Sequence, residues 1–162
     1  LDKKTPGYPD WMVGGIEGPF VIKRDNTYFM FFSTWTRGYE VGLLKSSSPL
    51  GPWELISPDP IFGTRKKGYR PELAVSGGYS HLKFNDSQDP YCETGHNSLF
   101  IGPDGKLWSS CHYMMYDKRP FPYCPDLSDW EKTPQMGIEP VNYKDGMFYI
   151  EGPTWTEQVI EY

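Results

Sequence analysis

The sequence has little of several features that mark common classes of protein. Its 162 residues include only three cysteines and no Cys-x-x-Cys pair, which argues against a zinc ribbon or a redox dithiol. It has no long basic stripe, and its 16 Lys and Arg are outnumbered by 21 Asp and Glu, so we expect no nucleic-acid partner. No apolar run is long enough to cross a bilayer, so we expect no membrane partner.

The sequence also lacks sustained helical periodicity with capping residues at its ends. It is rich instead in glycine (17), proline (16) and aromatic residues (17%), and the glycines and prolines lie between apolar runs. This pattern is typical of many short strands joined by tight turns. We therefore predict an all-β fold.

The beginning of the sequence shows no charged segment followed by an apolar one, so no signal peptide is visible. The first residue is Leu1 and not Met. We expect the chain to be a processed form or a piece of a longer protein.

The most informative stretch is Ile16–Trp35. In it Glu17 directly precedes the backbone break Gly18-Pro19, and two apolar segments flank the turn residues Asp25-Asn26, which predicts a hairpin. A carboxylate held at the rim of a sheet near aromatic side chains suits a general acid in sugar chemistry. The alternative is a surface Glu in the turn that enters a strand.

Strand-like segments continue along the chain, and the first four make up about one propeller blade. A long irregular loop is predicted over Ser57–Thr94, and a second one over Tyr116–Asp126. The turn Lys144-Asp145-Gly146 is a strong hairpin signal between the last two strands. The predicted strands are Phe20–Lys23, Thr27–Trp35, Tyr39–Ser46, Trp53–Ile56, His96–Ile101, Lys106–Met114, Gln135–Tyr143 and Met147–Ile150.

Four segments taken in order carry a family resemblance: IEGPFVIKRDNTYFMFFSTW, YEVGLLKSSSPLGPWE, GHNSLFIGPDGKLWSSCHY and PVNYKDGMFYIEGPTWTEQ. Together they resemble the five-bladed β-propeller hydrolases of glycoside hydrolase family 43, which include arabinanases, α-L-arabinofuranosidases and β-xylosidases. The resemblance covers nearly the whole chain but only about half of a family domain. It implies that residues 1–162 are the C-terminal portion of a partial five-bladed propeller, with about two blades plus the closing strands.

The resemblance implies inverting hydrolysis of arabinosyl or xylosyl bonds in plant cell-wall polysaccharides. In the family the general acid is the Glu of a Glu-Gly-Pro motif, and Glu17 is the matching position. The family also has an Asp that acts as the general base and a second Asp that adjusts the pKa of the acid and orients it. Neither has a matching position here: Asp10 precedes Glu17 but lacks the motif that surrounds the second Asp. A second copy of the motif, Ile150-Glu151-Gly152-Pro153, follows a closing strand and matches the family's terminal segment instead.

Other candidate site residues follow from the same resemblance and from side-chain chemistry. His96 matches a family His at the propeller centre, which implies a bound calcium, another metal or a water under the sugar site. Calcium prefers oxygen ligands, so water would fill most of its shell. The alternative for His96 is a hydrogen-bonded histidine at a strand end. Trp35, Tyr39 and Trp11 are candidates for stacking on sugar rings, and His112 is a further substrate-binding candidate. The alternative for each of these is packing inside a blade.

Several interpretations of the chain as a whole stay open. It can be an inactive propeller fragment, completed by a missing N-terminal half or by a second copy, or a carbohydrate-binding module without catalysis. An unrelated β-sandwich is less consistent with the blade-like spacing. The resemblance implies an oligosaccharide or polysaccharide substrate and a secreted or periplasmic location.

Overall fold

The computed structural model describes residues 8–36, 39–63, 91–115, 134–154 and 157–161, and these residues form two antiparallel sheets. The only other regular element in those ranges is a short 3-10 turn, Asp10–Met12. The all-β prediction is therefore confirmed. None of the described segments is a helix long and apolar enough to span a membrane. The strands are β1 (Glu17–Arg24), β2 (Thr27–Thr34), β3 (Glu40–Ser46), β4 (Glu54–Leu55), β5 (Phe62–Gly63), β6 (Tyr91–Ile101), β7 (Leu107–Met115), β8 (Gln135–Lys144) and β9 (Met147–Ile150).

Each sheet is a meander in which neighbours along the chain pair with one another. The first sheet has the order β1-β2-β3-β4, and β5 also pairs with β3. The second sheet has the order β6-β7-β8-β9. The four strands predicted for the first blade thus form one sheet, as expected.

Two tight turns fix the register of the hairpins at the beginning and at the end of the chain. Asp25 and Asn26 have φ values of 46° and 62°, and Asp145 and Gly146 have φ values of 52° and 75°. Two successive positive φ values are the mark of the hairpin turn whose twist matches that of the flanking strands. Asp, Asn and Gly adopt such φ values more readily than other residues, so the sequence itself selects both turns.

The predicted loop Ser57–Thr94 begins as expected, but it contains a short strand and ends earlier than predicted. Phe62–Gly63 forms strand β5, and β6 begins at Tyr91. Strand β5 has only two residues and is held by pairing with β3, a contact between distant segments that no local pattern indicates. Residues 64–90 of that loop, and the predicted loop Tyr116–Asp126, lie outside the described residues.

The main apolar core lies between the two sheets. Phe29 and Phe31 of β2 meet the ring of Phe148 edge-on, with centroid distances of 5.0 and 5.5 Å. Burying one such side chain stabilises the fold by roughly 1.5–3 kcal/mol, so this layer fixes how the sheets sit on each other. Strand β6 packs against β1, β2 and β3. The cluster consists of Phe29, Phe31, Val41, Leu43, Phe62, Leu99, Cys111, Val141, Phe148 and Ile150.

A second, smaller cluster covers the other face of the first sheet. Phe32 directly follows Phe31 in β2, and because successive side chains of a strand point to opposite faces, Phe32 lies on the other side of the sheet. There it packs with Trp11, Met12 and Leu44. The chain segment before β1 is thus held on the sheet by buried apolar side chains.

Candidate active site

Glu17 is the first residue of β1, at the rim of the first sheet. It pairs with Ser33 near the end of β2, and the register shifts between Glu17 and Phe20. Gly18 has φ +57°, a backbone conformation that favours glycine. The side chain of Glu17 is 35% exposed, so its carboxylate is reachable from solvent at the strand end.

The carboxylate of Glu17 faces His96 of the second sheet. Its Oε1 lies 3.6 Å from Nδ1 of His96, which is an ion-pair distance when the imidazole is protonated and longer than a hydrogen bond. The backbone N–H of His96 donates a hydrogen bond of 2.7 Å to Oγ of Ser33, which is fully buried. Ser33 thus connects the strand that carries Glu17 to the strand that carries His96.

Close backbone approach explains two glycines of this site. A Cβ atom on Gly18 would lie 2.9 Å from the imidazole of His96, so only glycine leaves room for the ring. A Cβ atom on Gly95 would lie 2.8 Å from the ring of Tyr39. Both glycines therefore permit contact between side chains of different sheets.

Tyr39 and His112 join the same cluster. Their rings meet edge-on with centroids 4.5 Å apart, and the ring of His112 lies 6.0 Å from that of His96. Tyr39 has φ 68°, an uncommon value for a bulky residue. Four residues singled out from the sequence, Glu17, Tyr39, His96 and His112, are thus brought together at one end of the two sheets.

The two tryptophan candidates have different surroundings. Trp35 follows β2, is 36% exposed, and covers Gly15, where a Cβ atom would lie 2.2 Å from the indole ring. Trp11 is 2% exposed, stacks on Phe32 with centroids 5.9 Å apart, and donates its indole N–H to the carbonyl of Pro58 at 2.7 Å. Trp35 thus offers ring surface to a ligand, whereas Trp11 is a packing residue of the core in this structure.

The calcium expected at His96 finds little support in the neighbouring side chains. Calcium takes six to eight oxygen ligands, and within the described parts of the chain no three His, Cys, Asp or Glu side chains form a metal-binding group. These residues alone do not fit a calcium site built from protein ligands. The metal stays a prediction and enters no step below.

Sequence reasoning missed a buried carboxylate on β8. Glu139 is 5% exposed and accepts hydrogen bonds of 2.9 Å from the backbone N–H and the hydroxyl of Thr154. Burial raises its pKa, the two hydrogen bonds oppose the rise, and the charge of Glu151 adds to it. Counting back two positions from the apolar residue Val141 would have placed Glu139 on the inward face of the strand.

Cys111 and Glu151 also have defined surroundings. Burial, and then the charge of Glu139, raise the pKa of the Cys111 thiol to about 12, so this buried thiol is unreactive. Glu151 follows β9, as the sequence predicts for the second Glu-Gly-Pro copy. Its N–H donates to the carbonyl of Pro140 at 2.9 Å, and its carboxylate accepts a hydrogen bond from the side chain of Asn142.

Comparison with known proteins gives consistent matches. The family model for glycosyl hydrolases family 43 matches residues 2–148. The extracellular endo-α-(1→5)-L-arabinanase 2 of Bacillus subtilis (strain 168) is 28% identical over 113 residues, which cover 58% of this chain and 24% of that protein. A solved thermostable family-43 glycoside hydrolase is 26% identical with a TM-score of 0.63, over 90% of this chain and 38% of the other.

A more distant structure shares the fold. The endo-1,4-β-xylanase from Bacteroides thetaiotaomicron is 22% identical with a TM-score of 0.57, over 88% of this chain and 40% of the other. The chain therefore spans less than half the length of each of these relatives. The shared fold confirms a partial β-propeller. Because the family match runs over most of its length, the chain belongs to glycosyl hydrolases family 43.

Proposed function

We propose that the protein containing this chain hydrolyses arabinosyl or xylosyl glycosidic bonds with inversion, and that Glu17 is the general acid. Family membership and the likeness to an arabinanase support the reaction class and favour an arabinosyl substrate. The observation that carries the assignment is the position of Glu17. Its partly exposed carboxylate lies at a strand end, 3.6 Å from an imidazole of the facing sheet.

Inverting hydrolysis needs one carboxylic acid to protonate the leaving oxygen and one carboxylate to activate water, roughly 6.5–9.5 Å apart. In the proposed reaction Glu17 gives its proton to the glycosidic oxygen while the bond to the anomeric carbon breaks. Water attacks that carbon from the opposite face, and an Asp from a part of the protein beyond this chain takes the proton of the water. His96 then faces the negative charge that is left on Glu17.

Sugar contacts are proposed at the same rim. Trp35 comes two residues after Ser33, the partner of Glu17, and its ring is partly exposed. Aromatic faces suit the C–H faces of sugar rings. Tyr39 and His112 form a packed pair beside His96, and we assign them to the wall of the site.

The substrate class and the location follow from the family. The arabinanase relative is an extracellular protein, and we propose that this protein is likewise exported and acts on a plant cell-wall polysaccharide. The missing blades would come from the rest of the same protein or from a second copy. The outer strands of the two described sheets would be covered there.

The test uses the intact protein and two aryl α-L-arabinofuranosides, with the matching β-D-xylosides in parallel. Glu17→Gln should lower kcat/KM for the phenyl glycoside by about 10²- to 10⁴-fold. The loss should be much smaller for the 2,4-dinitrophenyl glycoside, because its leaving group departs without being protonated. NMR of the first product formed should show the inverted anomer.

Glu151→Gln is the matched control, since Glu151 lies in the same Ile-Glu-Gly-Pro tetrapeptide. It should leave both rates within about twofold of wild type, in line with a surface substitution. Equal losses for the two leaving groups in Glu17→Gln would contradict the acid assignment. Sugar binding without any turnover by the wild-type protein would favour the carbohydrate-binding interpretation.

A further inference from the structure

Strand β6 is irregular at the histidine that faces the candidate acid. The register of β6 on β7 shifts between Gly95 and Ser98. Within that shift His96 and Asn97 together oppose the single residue Cys111 of β7. Two residues against one form a β-bulge, a feature that bends a strand and re-aims a side chain and is common next to active sites. The bulge therefore sets the direction in which the imidazole of His96 points.

The backbone of His96 holds a conformation that costs free energy. Its φ is 50°, in the left-handed region that glycine fills in one common type of bulge and that other residues adopt rarely. Strain of this kind persists only where the surrounding structure holds it in place, and it collects at functional sites. The hydrogen bond of 2.7 Å from the N–H of His96 to Ser33 is one such restraint. The residue that follows His96 supplies a second one.

Asn97 is a buried amide in a row of inward-facing residues. It is 1% exposed and lies on the same face of β6 as Leu99, which belongs to the main apolar core. Its Nδ2 donates to Oγ of Ser109 on β7 over a long 3.4 Å, and its Oδ1 has no hydrogen-bond partner among the described residues. Such an amide stabilises a fold less than an apolar side chain of the same shape would. Packing alone therefore does not account for an asparagine at this position.

We propose that Asn97 is a positioning residue for the reaction. Its amide, paired with Ser109, keeps the bulge in register and so keeps the imidazole of His96 facing Glu17. The inference rests on the proposed function and deepens it. Because Asn97 is buried, it acts through His96 and does not touch the substrate.

The physical reason is that a buried asparagine can specify one register at a cost in stability. In the observed register its amide has a partner in Ser109, whereas in a shifted register it would lie in the apolar layer without one. A slip of one residue also moves every side chain of a strand to the opposite face. Such a slip at the bulge would carry the imidazole of His96 away from the first sheet.

The test replaces both partners at once, Asn97→Leu with Ser109→Ala, in the intact protein. Exchanging both groups for apolar ones is close to neutral for stability or favourable, so the urea midpoint should stay at or above that of wild type. On 4-nitrophenyl α-L-arabinofuranoside, or on the β-D-xyloside where it is turned over faster, kcat should fall about tenfold with KM within about twofold, the mark of a misplaced catalytic group. A purely structural role would instead lower stability and kcat together.

Ser109→Ala alone is a milder variant that changes a single side-chain oxygen. It should lower kcat about twofold to fivefold, the scale of one hydrogen bond. Ser110→Ala is the matched control, because Ser110 is the next residue of β7 and its hydroxyl donates to the carbonyl of Ser98 at the same 3.4 Å. Ser110 lies on the other face of the sheet, so its replacement should leave kcat unchanged.

A double-mutant cycle tests whether Asn97 acts through His96. In the His96→Asn protein the imidazole is already gone, so adding the two apolar replacements should lower kcat by no more than about twofold further. Full additivity of the losses would overturn the proposal. A wild-type kcat in the doubly replaced protein, or equal kcat values for Ser109→Ala and Ser110→Ala, would overturn it as well.

These failures would leave the role of Glu17 intact, because that role is judged by Glu17→Gln and its two leaving groups. A wild-type protein that cleaves neither aryl glycoside would instead overturn the proposed function, and the role of Asn97 with it.

Discussion

The imidazole Nδ1 of His96 lies 3.6 Å from the carboxylate Oε1 of Glu17, although the two residues belong to different sheets. The contact depends on backbone features around it. Ser33 accepts the N–H of His96, and Gly18 leaves space for the imidazole. The neighbour of the candidate acid is therefore set by the packing of β6 on the first sheet.

His96→Asn tests whether the imidazole positions the acid. Asn tolerates the φ of 50° at this position better than most residues, and its backbone N–H can still donate to Ser33. We expect kcat on an aryl arabinofuranoside to fall about tenfold to a hundredfold, the scale of a misplaced catalytic group, with a smaller change in KM. An unchanged kcat, with thermal unfolding like that of wild type, would remove His96 from the site.

Gly18→Ala and Gly105→Ala form a matched pair. Both glycines have positive φ (57° and 72°), so each substitution should cost about 1–2 kcal/mol in unfolding free energy. A Cβ atom at Gly18 would meet the imidazole of His96, whereas one at Gly105 would meet nothing within 4 Å. Only Gly18→Ala should therefore lower kcat. Steady-state kinetics and urea unfolding of both variants measure this, and equal kcat values would argue against the close contact.

Ser33→Ala removes a buried acceptor between the sheets. Without its Oγ the N–H of His96 loses a hydrogen bond of 2.7 Å, and the unfolding free energy should fall by about 1–3 kcal/mol. Ser48→Ala is the control, because Oγ of Ser48 accepts the N–H of Leu50 at an exposed turn where water can replace it. Its effect should stay within about 0.5 kcal/mol. Urea unfolding measures the free energy of unfolding of both variants. Equal losses in the two would show that the hydrogen bond to Ser33 does not stabilise the fold.

Glu139→Gln should change how stability depends on pH. Burial holds the folded-state pKa of Glu139 above the usual Glu value, so the folded state binds more protons than the unfolded state between those two pKa values. Wild-type stability should therefore fall as the pH rises through that window and then level off. The charge of Glu151 and the hydrogen bonds from Thr154 act on the same carboxylate.

The variant lacks this titration, and its amide oxygen can still accept one hydrogen bond from Thr154. The difference in unfolding free energy between Glu139→Gln and wild type should therefore shift in favour of the variant as the pH rises. Urea unfolding at a series of pH values measures that difference. A pH-independent difference would show that Glu139 does not titrate differently in the folded and unfolded states.

The local parts of the fold could be predicted from the sequence. The turns at Asp25-Asn26 and Asp145-Gly146 depend on the φ preferences of adjacent residues, and both hairpins formed there. Strand β5 was missed because its pairing with β3 joins distant segments. The start of β6 was missed for a related reason, since its first residues show no apolar alternation and the register of the strand is interrupted there.

The candidate site, too, could be predicted from the sequence only in part. The sequence singled out Glu17, Tyr39, His96 and His112 one at a time, by motif or by side-chain chemistry. It favoured Trp35 over Trp11 for sugar stacking, because Trp35 ends a strand after small polar residues, but it could not show that Trp11 packs against Phe32 and is buried. Nor could it indicate Ser33, whose hydroxyl matters only because β6 passes beside it.

The sequence by itself determined the fold class, the two hairpin turns and the family, since these depend on residue order and on the φ preferences of neighbouring residues. The tertiary structure alone decided which side chains meet. Packing of β6 against the first sheet places His96 beside Glu17 and buries Ser33 between the strands. These contacts join distant segments, and the buried apolar layer between the sheets sets their geometry.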